Sequence, residues 1–198
     1  MPANAVNCPH CQDEDYTFAA ALAWGGYQQP LRSLILQLKH QANESLAFHS
    51  ATMLAKQFQP QLNQWPVDAI VPVPLHWSRR FWRGYNQAEV MASAVSRVLQ
   101  KPLRTWWLWR TSRTPLQASV TPSQRRKNLM QAMKASIPIR FRGQHVLLID
   151  DVMTTGSTAD ACARALLQAG AGSVRVLVLA RALGESANQL ASGKAYPG

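Results

Sequence analysis

The 198-residue sequence predicts an α/β fold, a central parallel sheet flanked by helices with a small N-terminal hood or appendage. Three observations carry that expectation. Two uninterrupted apolar runs, 146–149 and 174–180, suit strands buried on both faces; amphipathic stretches at helical spacing surround them; and residues 68–109 read as strand, helix and strand in succession. Such a succession favours parallel pairing with right-handed crossovers. With 47% hydrophobic and 16% charged residues, the chain can bury roughly 70% of the surface its unfolded form exposes, which excludes wholesale disorder.

Each element has a local reason. Residues 1–15 read as a tail or a small appendage, and the apolar, partly aromatic residues 16–24 as a strand ended by a turn at Gly25-Gly26. Leu31, Leu34, Ile35, Leu38 and then Leu46, Met53, Leu54, Phe58 recur at helical spacing, so two helices are expected with a break near 41–43. The short β-branched run 68–74 contains Pro72 and Pro74, which stop a strand at a definite loop. A basic loop, 75–84, leads into a helix over 86–99; Lys101-Pro102 ends it before a strand at 103–109.

Residues 110–120 are polar, basic and without periodicity, and read as a mobile loop. Thr121-Pro122-Ser123-Gln124 has the capping-box arrangement, predicting a helix over 122–133 and then a strand near 137–140. After the apolar run 146–149, a helix over 159–169 is closed by Gly170, and 174–180 is the last buried strand. Residues 183–198 read as a flexible C-terminal tail.

The net charge is +11, and its distribution is uneven. Between His76 and Arg142 there are 14 Lys+Arg and a single acid, Glu89, a local charge of +13, so the middle third asks for an anionic partner. No run approaches the ~18 apolar residues of a membrane span and no basic leader opens the chain; a cytoplasmic location is expected. Three cysteines cannot build a disulfide framework, and Cys162 falls in a helical pattern. Trp107 suits core packing, while Trp77 and Trp82, interleaved with arginines, suit stacking.

The chemistry is concentrated in 146–158, VLLIDDVMTTGST. A buried strand delivers Asp150 and Asp151 at its C-terminal end, where open α/β sheets bind ligands, and a hydroxyl-rich turn then opens a helix. Free N–H groups at a helix start, with the hydroxyls of Thr154, Thr155, Ser157 and Thr158, suit a phosphate monoester, and Gly156 lets the backbone approach. The carboxylates would repel that phosphate and suit ribose hydroxyls or a hydrated divalent metal. Response regulators also end strands in paired aspartates, but no second strand here supplies the aspartate they phosphorylate.

This stretch resembles the phosphoribosyl-pyrophosphate (PRPP) signature of the type I phosphoribosyltransferases. With Val71-Pro72-Val73-Pro74-Leu75-His76, Arg79-Arg80, Arg83-Gly84-Tyr85-Asn86-Gln87, Gln117 and Arg125-x-x-Asn128, the chain resembles the ComF (competence protein F) family over residues 16–182. The resemblance implies a type I phosphoribosyltransferase fold and transfer of a phosphoribosyl group with release of pyrophosphate, the acceptor unspecified. It implies that Asp150 and Asp151 bind the ribose hydroxyls and that Thr154, Thr155, Gly156, Ser157 and Thr158 bind the 5-phosphate. Val73, Pro74 and Leu75 would shape the pyrophosphate loop, with Arg79, Arg80 and Arg83 as clamps, because a guanidinium fork matches phosphate oxygens. Arg113, Gln117 and Arg125 would belong to a flexible loop closing over the site, with Arg113, Asp150 and Asp151 in catalysis. Mg²⁺ would arrive with PRPP.

ComF proteins commonly begin with a four-cysteine zinc ribbon, and here only Cys8 and Cys11 stand. Half a site does not hold zinc tetrahedrally, so zinc is not expected unless two chains share it in a homodimer. The same resemblance carries a second expectation, a DNA-uptake factor that binds single-stranded DNA on the basic segment and keeps the PRPP pocket as a sensor.

Overall fold

The computed structural model describes residues 16–40, 43–75, 84–111 and 128–182. Its centre is a four-stranded, all-parallel sheet of β1 (Ala20–Gly26), β2 (Ala69–Pro72), β5 (His145–Met153) and β6 (Ser173–Arg181). The spatial order is β1-β6-β5-β2, so the two apolar runs form the middle of the sheet. Helices α1 (Leu31–His40), α2 (Glu44–Leu62) and α3 (Gln87–Leu99) cover one face, and α4 (Ser157–Gln168) covers the other. A separate antiparallel pair, β3 (Leu108–Arg110) and β4 (Met133–Ala135), packs beside α4.

Strand alternation sorts the core into two clusters. Leu147, Ile149, Leu177 and Leu179 face Ile35, Leu38, Leu54, Met91 and Val95 of α1 to α3. Val146, Leu148, Val176 and Val178 face Cys162 and Leu166 of α4, with Trp107 and Met133. All of these side chains except Met133 and Val146 are fully shielded, so the middle strands are fixed from both sides.

Four local expectations are corrected. Gly25-Gly26 is not a turn; both glycines pair with Ala180 and Arg181 as the end of β1, an edge strand of the main sheet. The strand expected over 103–109 shrinks to one parallel bridge, Ile70 to Leu103, followed by β3, whose partner is β4 outside the main sheet. Met133 begins β4 instead of ending a helix; residues 128–132 are helical before it. The run 137–140 is no strand, because Pro138 precedes a 3₁₀ turn at Ile139–Phe141. The remaining helix and strand expectations hold within one to four residues where the chain is described, with Asn43 and Asn86 capping α2 and α3 through their side chains.

No helix among the described residues is long and apolar enough to cross a membrane. The segments 1–15 and 183–198 lie outside the described residues.

Candidate functional site

Strand β5 ends in Asp150 and Asp151, and the period of a strand sends their carboxyls to opposite faces. Asp150 lies on the α4 face, in a recess of about 20 Å³ lined also by Val152, Met153, Thr154, Gly156, Thr158 and Ala159. Its Oδ1 accepts from the Asp151 backbone N–H at 2.8 Å. Burial, reinforced by the neighbouring Asp151 carboxylate, pushes the Asp150 carboxyl from its ordinary 3.8 up to about 8, against the opposing pull of that N–H and of Lys39.

Asp151 is held on the other face. It is 4% exposed; its Oδ2 accepts from Gln87 Nε2 at 3.0 Å and lies 3.5 Å from the Lys39 ammonium. Gln87 opens α3, and Lys39 sits in the last turn of α1. The Tyr85 phenol donates to the Leu38 carbonyl, fixing the end of α1 beside the start of α3. Neither Lys39 nor Gln87 was legible as a partner of Asp151, because nothing local in either helix points to a carboxylate.

The phosphate-type turn follows at once. Gly156 takes φ +71°, the left-handed region that favours glycine, and is the N-cap of α4. Thr155 and Ser157 hydroxyls lie 2.9 Å apart, and Thr154 and Thr158 line the recess with Asp150. The turn is backed by Tyr16, whose phenol donates to the Thr155 carbonyl at 3.0 Å and whose ring stacks on Phe18. Thr17 N–H donates to Asp160 at 2.7 Å, and Arg164 bridges Asp160 and the Thr17 hydroxyl.

Of the expected pyrophosphate loop, Val73, Pro74 and Leu75 are described. The Val73 N–H donates to the Ile149 carbonyl at 2.9 Å, and its carbonyl accepts from Asn86 Nδ2 at 3.3 Å, so the loop is tied both to β5 and to the α3 cap. A cavity of about 240 Å³ lies beside it, lined by Pro72, Pro74, Leu75, Glu89, Thr105 and Trp109 among others. Another of about 190 Å³ lies between residues 130–135 and α4. The small recess, not these larger spaces, gathers the carboxyl, hydroxyls and helix start. Arg79, Arg80, Arg83, Arg113, Gln117 and Arg125 lie outside the described residues, as do Trp77, Trp82, Cys8 and Cys11.

Trp107 is fully buried, as core packing requires, while Trp106 and Trp109 are exposed. Burial, with a smaller contribution from Asp150, drives the Cys162 thiol far above its ordinary range, which leaves it a packing residue. Among the described residues no group of three or more His, Cys, Asp and Glu could hold a metal ion.

The phosphoribosyl transferase domain model matches residues 51–192, which takes in β2, α3, the β3–β4 pair, both aspartates and the turn. The DNA utilization protein YhgH of Escherichia coli K12 is 33% identical over 181 residues, covering 89% of this chain and 78% of that protein. Competence protein F of Haemophilus influenzae is 32% identical over 182 residues, covering 90% and 80%. Competence protein ComFC of Bacillus subtilis is 31% identical over 113 residues, covering 57% and 44%. On the fold, the twin-acid strand end and these relatives together, the chain belongs to the ComF family, with the phosphoribosyl transferase domain as its core.

Proposed function

We propose that the chain binds PRPP at the C-terminal end of β5 and transfers its phosphoribosyl group, releasing pyrophosphate. The observation that carries the reading is the single recess joining Asp150 to Thr154, Gly156 and Thr158 at the start of α4. Helix-start amides and hydroxyls take the 5-phosphate, and Asp150 accepts from a ribose hydroxyl. Asp151 would reach a second hydroxyl only by exchanging its bond with Lys39; in the ligand-free chain it holds the strand end.

Val73, Pro74 and Leu75 shape the place of the diphosphate, with Arg79, Arg80 and Arg83 as its clamps and Arg113, Gln117 and Arg125 closing over it. Their charge opposes the negative charge that grows on the leaving group as the anomeric carbon becomes oxocarbenium-like. Mg²⁺ would arrive with the diphosphate, whose oxygens suit a hard cation. A pyrophosphate-release screen with PRPP, Mg²⁺ and a panel of bases and amines tests transfer and acceptor together; release with no member of the panel, while PRPP binds, would reduce the reading to binding alone.

A second reading is favoured by the charge of +13 over residues 76–142 and by relatives named for DNA utilization and competence. Here the basic segment holds single-stranded DNA and the PRPP pocket acts as a sensor. Affinity should then fall with salt by roughly 0.7 log unit per log unit for each phosphate contacted. Binding that is indifferent to salt, or to replacing Arg79, Arg80 and Arg83 by alanine, would contradict it.

A further inference from the structure

We infer that Tyr16 is a positioning residue for the phosphate turn, so that the segment preceding β1 sets the affinity for the terminal phosphate of the ligand. The inference rests on the proposed PRPP site and adds to it a residue that lies far away in the chain. Its geometry is simple. The Tyr16 phenol donates to the Thr155 carbonyl at 3.0 Å. A trans peptide is planar, with its C=O and N–H pointing in opposite directions, so a carbonyl drawn toward Tyr16 turns the Gly156 N–H away from it. Tyr16 does not line the recess that Gly156 shares with Asp150, Thr154 and Thr158. An anion cradle needs amides turned inward and carbonyls turned outward, and the phenol selects that orientation of the 155–156 peptide.

Two further contacts make the arrangement firm. A Cβ built on Gly156 would stand 2.7 Å from Tyr16 Cε1, so the ring lies flush against the turn and leaves the peptide little room to flip. The following residue is anchored to α4 itself: Thr17 N–H donates to Asp160, which is fully buried, and Arg164 reaches both Asp160 and the Thr17 hydroxyl. Asp160 sits in the first turn of α4, where an unneutralised carboxylate would compete with a bound phosphate. The Thr17 amide and Arg164 occupy it instead. Residues 16–17 thus hold the turn by its carbonyl and hydrogen-bond the nearest acid of the same helix, which Arg164 neutralises.

Tyr16→Phe keeps the ring and removes only the hydroxyl. Calorimetric titration of the full chain with ribose 5-phosphate, and separately with Mg²⁺ and pyrophosphate, separates the two halves of the site. The expected result is about a five- to tenfold weaker Kd for ribose 5-phosphate, the size of one lost neutral hydrogen bond, with pyrophosphate affinity unchanged. Equal affinity of wild type and variant for ribose 5-phosphate overturns the positioning role alone. Equal losses for both probes also overturn it, since a general loosening of the fold would act on both. Failure of the wild-type chain to bind ribose 5-phosphate at millimolar concentration overturns the proposed site and this inference together.

Discussion

The two faces of β5 carry neighbouring aspartates in opposite states. On the α4 face Asp150 opens onto a recess, its carboxyl pushed up to about 8 by burial and by the acid beside it. On the α1 and α3 face Asp151 is closed in by Lys39 and Gln87. A doubled acid in a strand therefore does not place two equal groups side by side. One face opens onto a recess, and the other ties the strand end to α1 and α3.

The largest effect expected from that difference is on ligand affinity. Asp150→Asn should weaken PRPP binding roughly 10- to 100-fold, the value of a hydrogen bond to a charged group, as read by calorimetry at pH 8. Binding to ribose hydroxyls favours the carboxylate form, so wild-type affinity should rise by close to tenfold per pH unit from 6.5 toward 8 and then level. The asparagine variant should lack that slope.

Gly156→Ala tests the turn behind Asp150. It forces a side chain into φ +71° and against the Tyr16 ring, and should cost about 2 kcal/mol of stability by denaturant unfolding. Lys39→Met tests the closed face. It leaves Asp151 buried with Gln87 as its side-chain partner among the described residues and should cost about 1–2 kcal/mol, moderated by the partial exposure of Lys39, while changing the Kd for PRPP less than Asp150→Asn does. A variant that kept its stability and lost binding would reverse the roles assigned to the two faces. Asn86→Ala, which removes the α3 cap and the bond to the Val73 carbonyl, should cost about 1 kcal/mol.

A further effect separates the faces by pH. The folded-state pKa of Asp150 is raised, so the native chain holds that proton more tightly than the unfolded one. Its contribution to stability is complete below about pH 4 and is lost as pH rises to about 8. Asparagine has no proton to lose. The melting temperature of Asp150→Asn relative to wild type should rise between pH 4 and 8 and then stay level.

The parts of this architecture legible in the sequence are those set by local pattern. The apolar runs of β5 and β6 and the amphipathic spacing of α1 to α3 each announce themselves within a dozen residues. The hydroxyl-rich turn with Gly156 does the same. What was not legible depends on distant partners. Gly25-Gly26 looks like a turn until β6 offers a ladder on which to end. The tryptophan-rich stretch 103–109 looks like one strand, yet Trp107 turns into the α4-side core and the pairing passes to Leu108–Arg110 with β4. Lys39, Gln87 and Tyr16 reach the site from elements whose own patterns report only helix packing or a strand entry. The opposite facing of Asp150 and Asp151 follows from strand period alone, but which face is open depends on where α1 and α3 come to rest.

The most direct test of the central claim, that a phosphorylated ribose docks on the α4 face of β5, is calorimetric titration of Mg²⁺ and PRPP into the full chain and into Asp150→Asn at pH 8. Saturable binding by the wild type, weakened roughly 10- to 100-fold in the variant, is the result predicted. No heat of binding at millimolar PRPP, or equal affinity in both proteins, would contradict it.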